Sequence, residues 1–123
     1  MNLVSHVLVA LVAVLHLTFL ALEMFLWQKP LGLKTFRLTP EFAKATANLA
    51  ANQGLYNGFL AAGLIISFTF QNLGTQLSFR LFFLSCVIVA GVFGALTVSK
   101  RIFVIQAVPA ILAITAVWLT RFI

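Results

Sequence analysis

The chain has 123 residues, of which 63% are hydrophobic and 8% charged. A soluble domain carries about 25% charged residues, so this composition excludes a soluble protein and indicates an integral membrane protein. The net charge of +6 comes from eight basic residues against two acidic ones. Because the basic residues lie in connecting segments and at helix ends, they indicate topology and contact with anionic lipid head groups, and no nucleic-acid partner is expected.

Four apolar blocks follow one another along the chain, and each approaches the roughly 20 residues that cross about 30 Å of hydrocarbon as a helix. They cover residues 2–27, 55–70, 81–98 and 102–122. We therefore predict an all-α integral membrane four-helix bundle that forms a single domain over residues 1–123. The alternative for the first block is a cleaved signal peptide, but the block lacks a basic leading segment and a small-residue cleavage site, and it is too long.

The segment after the first block, RLTPEFAKATANLAANQ, carries a start signal for a helix. Thr39 suits the N-cap, Pro40 the first helical position and Glu41 the first turn. A helix from here to the end of the second block would be about 46 Å long, which exceeds the hydrocarbon core. Its N-terminal third is therefore expected to project from the membrane or to lie along the interface, as an interfacial extension of the second membrane helix, with a bend at Gly54 or Gly58.

The basic residues predict the orientation. Six of the eight lie between the first and second helices or between the third and fourth, namely Lys29, Lys34, Arg37, Lys44, Lys100 and Arg101. Arg80 and Arg121 belong to the other side. The positive-inside rule then places the two basic loops in the cytoplasm, and both termini and the QNLGTQ turn outside.

Polar side chains gather where the second helix enters the membrane, in the stretch ANQGLYNGFLAAG. Asn52 and Tyr56 are four residues apart, as are Gln53 and Asn57, so on a helix they form one adjacent polar surface. Glu23 is expected about 6 Å inside the same boundary on the first helix. The second helix is therefore expected to present a polar wall, made of Asn52, Gln53, Tyr56 and Asn57, at the same membrane depth as Glu23.

Two further residues extend this set, Gln106 and His16. Gln106 lies five residues after Arg101, at about 7 to 8 Å depth on the fourth helix, and is expected opposite the polar wall. His16 lies seven residues before Glu23, which returns it to nearly the same face about 10 Å deeper. The candidate ligand-binding residues are His16, Glu23, Asn52, Gln53, Tyr56, Asn57 and Gln106.

Glu23 is the central member of this set. Ionisable groups inside a membrane are costly and usually face the bundle interior or a wet cavity. We expect Glu23 to find hydrogen-bond partners across helices, because an unpaired polar group in lipid costs several kcal/mol. The alternative is a structural role, in which a bond to Asn57, Tyr56 or a loop lysine only holds the helices together.

The remaining patterns carry less functional information. Pro109 frees the carbonyl of Ile105 and is expected to kink the fourth helix. Gly91 and Ala95 have the small-residue spacing that lets membrane helices approach closely. The single Cys86 excludes an intrachain disulfide. No metal or cofactor is expected, and no phosphate loop or Ser/His/Asp spacing supports a soluble enzyme.

Four stretches together resemble a known family: LHLTFLALEMFLW, LTPEF, LAANQGLYNGFLAAGL and QAVPAIL. They are similar to the bacterial membrane proteins grouped as domain of unknown function 1304, and the resemblance covers nearly the whole chain. It implies a small four-helix protein of the bacterial inner membrane. In that membrane, the orientation predicted from the basic residues places both termini in the periplasm. The matching positions include the candidate residues and Pro109, and the resemblance implies no catalytic role.

Two classes of function fit the candidate residues, and a third remains open. In the first, they line a cytoplasm-facing pocket that binds or transports a small polar or amphiphilic molecule. In the second, Glu23 and His16 act as acid and base on a lipid-like substrate. The third is a structural or accessory subunit. Because carboxamides and a tyrosine are poor acid–base catalysts, binding or transport is favoured, with membrane lipids and a second copy of the chain as partners.

Overall fold

The structure, a computed structural model, describes residues 1–122. These residues form five helices in sequence and no strand, so the predicted all-α class is confirmed. The helices are α1 (Leu3–Met24), α2 (Pro30–Phe36), α3 (Pro40–Ser67), α4 (Leu73–Thr97) and α5 (Lys100–Phe122).

Three of these helices, α1, α4 and α5, are long and apolar enough to cross a membrane within the described part of the chain. At 28 residues α3 is the longest helix but does not belong to this group. Its apolar sequence is interrupted by Asn52, Gln53 and Asn57, whose carboxamides oppose transfer into hydrocarbon. The structure therefore supports a membrane-type helical protein with three such helices, and the four-helix bundle stays a prediction.

The chain divides into two compact units. The larger unit contains Met1–Leu15 together with the chain from Leu60 onward, and the smaller unit contains His16–Phe59. Helices α1 and α3 each contribute residues to both units. The expectation that residues 1–123 form a single domain stays a prediction.

The core of the larger unit is built from four helical segments. Its buried side chains are aliphatic or alanine: Val9, Val12, Ala13, Leu64, Leu84, Val87, Ala110, Ala113 and Val117. Small residues allow close packing here, because a Cβ at Gly91 would lie 2.8 Å from the Cβ of Ala107 and 2.9 Å from its backbone nitrogen. The α4 residue Gly91 therefore permits close contact with α5, as expected for small residues in membrane helices.

The outer faces of the membrane-type helices are apolar. Large hydrophobic side chains are exposed on all three, for example Leu3 on α1, Leu96 on α4 and Leu112 on α5. Contact between this much apolar surface and water is unfavourable, whereas contact with lipid acyl chains is not. This distribution agrees with the membrane class that the composition predicts.

Helix α3 begins where the sequence predicts. The Oγ1 atom of Thr39 accepts a hydrogen bond from the backbone nitrogen of Phe42 at 3.2 Å, and Pro40 is the first helical residue. The helix then continues without interruption through Gly54 and Gly58. Its 28 residues correspond to about 42 Å of helix.

Two helix starts were not predicted, those of α2 and α4. Helix α2 begins at Pro30, a residue suited to the first helical position, and Gly32 lies close to the preceding chain, since a Cβ there would lie 2.0 Å from the carbonyl oxygen of Leu26. Helix α4 begins at Leu73, because the side chain of Asn72 accepts a hydrogen bond from the Thr75 nitrogen at 2.9 Å and caps the helix. Part of the predicted outer turn therefore belongs to α4.

Helix α5 changes its hydrogen-bond pattern along its length. Its four parts are an α-helical turn (Lys100–Ile102), a π-helical segment (Phe103–Ala107), an α-helix (Val108–Leu119) and a 3-10 turn (Thr120–Phe122). The Val108 nitrogen donates to the Phe103 carbonyl, five residues earlier. Pro109 has no N–H for the carbonyl of Ile105, so the backbone irregularity expected near this proline takes the form of a π-bulge.

Candidate functional site

The candidate site lies in the smaller unit, where the end of α1 meets the middle of α3. Oε1 of Glu23 accepts a hydrogen bond from Nδ2 of Asn57 at 2.5 Å. Asn57 is buried, and Glu23 is partly buried. A short bond from an amide to a carboxylate is charge-assisted and stronger than a neutral one. The prediction that Glu23 finds a hydrogen-bond partner across helices is therefore confirmed.

Glycines of α3 bring the two helices within reach of each other. A Cβ at Gly54 would lie 2.7 Å from Cγ of Met24 and 3.0 Å from Cβ of Glu23. One turn later, a Cβ at Gly58 would lie 2.6 Å from Cδ1 of Leu20. Because both glycines face α1 without a side chain, the backbones approach closely and Glu23 can reach α3.

The other polar residues of α3 do not share this contact. Residues buried along α3 in the smaller unit follow helical spacing and are small, namely Ala43, Ala50, Gly54 and Asn57. Asn52, Gln53 and Tyr56 are exposed instead. The expected polar wall is thus divided: Asn57 faces α1, while Asn52, Gln53 and Tyr56 lie on the open side of the helix.

A cavity of about 310 Å³ lies beside Glu23 at the end of α1. Its lining consists of Glu23, Met24, Phe25, Trp27, Gln28, Lys29 and Ala47. This volume falls at the lower end of the range for small-molecule sites, about 300 to 1,000 Å³. The lining combines a carboxylate, an amide and an ammonium group with apolar and aromatic surface, as ligand pockets commonly do.

The aromatic wall of this cavity is held in place by contacts with α2 and α3. Nε1 of Trp27 donates a hydrogen bond to Oγ1 of Thr46 at 3.1 Å. The ring of Trp27 also packs against that of Phe36, with 4.9 Å between their centroids. Thr46 in turn donates to the carbonyl of Phe42 at 2.7 Å. The tryptophan is therefore anchored at its polar edge and on its ring surface.

His16 and Gln106, the remaining candidates, take no part in the Glu23–Asn57 hydrogen bond. His16 is buried, with 1% of its surface exposed, and its ring meets the ring of Phe19 at 5.4 Å. Its seven-residue separation from Glu23 corresponds to about 10 Å along α1, too far for direct proton transfer. Gln106 lies in the π-helical segment of the larger unit. Its expected position opposite the polar wall stays a prediction.

The site does not offer a metal-ligand cluster. Across residues 1–122, no group of three or more His, Cys, Asp or Glu side chains is placed to hold a metal ion. Glu23 is the acidic residue of the cavity and has an amide as its hydrogen-bond partner. The arrangement is suited to hydrogen bonding and charge recognition of an organic molecule.

Sequence reasoning missed one polar residue of the larger unit, Arg80. Its side chain is fully buried within α4 and contacts His6 and Ser67. The third apolar block of the sequence starts at Leu81, so Arg80 directly precedes the predicted membrane helix. The N-cap signal of Asn72 would have placed the helix start earlier and identified Arg80 as an ionisable residue inside a membrane-type helix.

Comparison with known proteins gives two matches and no solved structure. A family model described as "Protein of unknown function (DUF1304)" matches residues 10–118. The chain is also 30% identical over 116 residues to "Uncharacterized protein YpaA" of Lactococcus lactis subsp. lactis (strain IL1403). That similarity covers 93% of this chain and 96% of the relative. No solved structure matches the chain.

Proposed function

The chain belongs to the DUF1304 family of proteins of unknown function, and we propose that it binds a small polar or amphiphilic molecule in the cavity beside Glu23. The carboxylate recognises the polar end of the ligand. The aromatic and thioether side chains of Trp27, Phe25 and Met24 contact its apolar part.

One observation carries this proposal: Glu23 lines a cavity while a single amide holds its carboxylate in place. Asn57 bonds Oε1. Within the described residues no protein group donates to the second oxygen, Oε2, which is therefore available to a ligand. A carboxylate held by one donor and open at its other oxygen is preorganised, because its orientation does not have to be gained on binding.

The charges around the cavity favour a ligand with a donor group. A carboxylate accepts hydrogen bonds from ammonium, hydroxyl or amide groups and repels another carboxylate. Lys29 and Gln28 lie at the same cavity and can bond an acceptor elsewhere on the ligand. A molecule that carries a donor at one end and a short apolar part therefore matches the lining best.

The membrane setting extends the proposal. The positive-inside bias favours a cytoplasmic location for the segment between α1 and α3, which would open the cavity toward the cytoplasm of a bacterial inner membrane. A four-helix arrangement would require α3 to cross the bilayer as well. Transport would require a path that a chain of this size provides more readily between two copies, so we include a homodimer in the proposal.

A structural role is the second candidate, and the Glu23–Asn57 bond itself favours it. Polar side chains that bond across membrane helices stabilise their packing by about 0.6 to 2 kcal/mol. Under this alternative the cavity has no ligand and Glu23 acts only as a hydrogen-bond acceptor. An acid–base enzyme is less favoured, because Glu23 and His16 are about 10 Å apart along α1.

Binding is testable through the fluorescence of Trp27, which lines the cavity. The chain contains two tryptophans, Trp27 and Trp118, so Trp118→Phe leaves the cavity residue as the only strong emitter. We expect n-butylamine and n-butanol to change its emission saturably, with n-butyrate binding most weakly. In the same background Glu23→Gln should weaken amine binding about tenfold, because a charge-assisted bond is lost.

Glu41→Gln is the matched control, since it removes the other acidic side chain from an exposed position on α3. It should leave all three affinities unchanged. Equal amine binding by wild type and Glu23→Gln would contradict the proposed recognition. If none of the probes binds and Glu23→Gln alters only stability, the structural role is supported instead.

A further inference from the structure

Arg80 forms a buried polar cluster in the larger unit, and none of its residues lines the cavity beside Glu23. Nε of Arg80 donates to Oγ of Ser67 at 2.9 Å, and Nη1 lies 3.1 Å from Nδ1 of His6. A guanidinium has only donors, so Nδ1 of His6 must accept this bond. The guanidinium carbon also lies 4.3 Å from the centroid of the Phe68 ring. Arg80 on α4 is therefore contacted by groups from α1, from the end of α3 and from the turn after α3.

The third nitrogen of this guanidinium has no partner. Nη2 of Arg80 is buried and makes no hydrogen bond, and it is the one such side-chain atom within the part of the chain that the structure describes. A buried donor without an acceptor is unfavourable because it has lost its hydrogen bonds to water, and the cost is larger when the donor is charged. The cluster thus contains a directed, unsatisfied donor.

No acidic side chain belongs to the unit that contains Arg80. The chain has two acidic side chains, Glu23 and Glu41, and both belong to the smaller unit. The C-terminal end of α3 at Ser67 offers partial negative charge from its carbonyl groups. Gln76 already donates to the carbonyl of Ser67 at 3.3 Å. These neutral contacts orient the guanidinium, but they do not balance a full charge.

We infer that Arg80 is the anchor of a binding site for a phosphate group. Arginine suits this ligand because its planar fork of N–H donors matches phosphate oxygens with two parallel bonds. The free Nη2 would supply the first of these bonds, and the phosphate would place a negative charge beside Arg80 in a unit that has no acidic side chain.

Phe68 covers the site and gives it a route of access. Its ring lies over the guanidinium, yet 41% of the residue surface is exposed. It follows Ser67, the last residue of α3, so its position is outside the regular helix. In the proposed binding mode the Phe68 side chain moves aside to admit the phosphate, and the bonds from Arg80 to Ser67 and His6 stay in place. Arg80 lies seven residues after Leu73, about 10 Å along α4 from its first residue, and the proposed site is entered from that end of the helix by a lipid head group or by dissolved phosphate.

The test uses the full-length protein in detergent and measures its thermal unfolding. Inorganic phosphate is compared with sodium chloride at the same ionic strength, and phosphatidylglycerol with phosphatidylcholine, whose phosphate already has a cationic neighbour. We expect stabilisation by at least one phosphate source. Stabilisation by inorganic phosphate identifies a dissolved ligand, whereas stabilisation by phosphatidylglycerol alone identifies a lipid head group. No stabilisation by either source beyond its control overturns the inference.

Substitutions then assign the effect to Arg80. Arg80→Gln should weaken phosphate binding at least about tenfold, and Arg80→Lys should weaken it less, because it keeps the charge but loses the fork. Arg121→Gln is the control, since Arg121 is exposed and lies over the ring of Trp118 at 4.9 Å. If a folded Arg80→Gln variant binds as tightly as wild type, Arg80 is not the anchor.

A second substitution decides the matter if the Arg80 variants do not fold. Phe68→Ala keeps the arginine and removes the ring above it, so phosphate should bind more tightly than to wild type. Phe79→Ala is its control, because the Phe79 ring packs against Phe70 and Phe83. Unchanged phosphate binding in Phe68→Ala, or the same change in both variants, would count against a site beneath Phe68.

Discussion

At the scale of single residues, position along α3 decides what each carboxamide does. Asn57 lies on the face toward α1 and donates to Glu23, whereas Asn52, five residues earlier, is exposed. Five residues are about 500° of helical rotation, so the two side chains point to different sides. The carboxamide of Asn57 therefore links α3 to α1, whereas the same group at Asn52 is exposed at the surface.

This difference predicts unequal effects of removing the two asparagines. Asn57→Ala should lower the free energy of unfolding by about 1 to 3 kcal/mol, because it leaves the partly buried carboxylate of Glu23 without its donor. Asn52→Ala should change it by less than about 0.5 kcal/mol. Unfolding in mixed detergent micelles measures both values. Equal losses would show that the bond to Glu23 contributes no more than a surface amide.

At the scale of helices, glycines determine how closely neighbouring elements pack. Each position differs in what an added methyl group would meet. At Gly91 it would meet the backbone of Ala107, which belongs to the π-helical segment of α5. At Gly58 it would meet Cδ1 of Leu20, the end of a flexible side chain, with the next atom at 3.9 Å. Backbone resists displacement, but a leucine tip can rotate away.

Alanine substitution at these two glycines should therefore have opposite effects. Gly91→Ala should destabilise the protein, because overpacking costs about 1 to 3 kcal/mol and exceeds the roughly 1 kcal/mol gained in helix propensity. Gly58→Ala should be neutral or stabilising, since Leu20 can move and the gain in propensity remains. Thermal unfolding of both variants gives the comparison. A stable Gly91→Ala variant would mean that α5 shifts without cost.

At the scale of the whole molecule, α3 determines the membrane topology. If α1, α3, α4 and α5 all cross, the number of crossings is even and both termini lie on the same side. If only α1, α4 and α5 cross, the number is odd and the termini lie on opposite sides. The basic residues between α1 and α3 and between α4 and α5 favour the even count.

Reporter fusions can distinguish these two topologies. We expect a reporter after Arg37 to indicate the cytoplasm, and reporters at the N-terminus, after Gln71 and at the C-terminus to indicate the periplasm, because six of the eight basic residues lie in the segments assigned inside. Reporters after Arg37 and Gln71 that indicate the same side would show that α3 does not cross. If the N-terminal and C-terminal reporters both indicate the cytoplasm, the protein has the opposite orientation and the cavity opens toward the periplasm.

The sequence by itself determined the features that depend on composition and local signals. The apolar composition indicated helices for a membrane, Thr39 and Pro40 located the start of α3, and the quoted stretches indicated the family, which the family match confirms. The sequence also predicted the kind of partner that Glu23 has, because a carboxylate in an apolar helix requires a hydrogen-bond donor and the carboxamides of the next helix are donors.

Only the tertiary structure decided which of those carboxamides donates a hydrogen bond to Glu23. Four-residue spacing shows which side chains share a face but not which face meets α1, and that choice follows from the glycines at 54 and 58. The burial of Arg80 likewise depends on His6, Ser67 and Phe68. These three residues are distant from Arg80 along the chain, and their contacts exist only after the helices pack, so no local pattern encodes them.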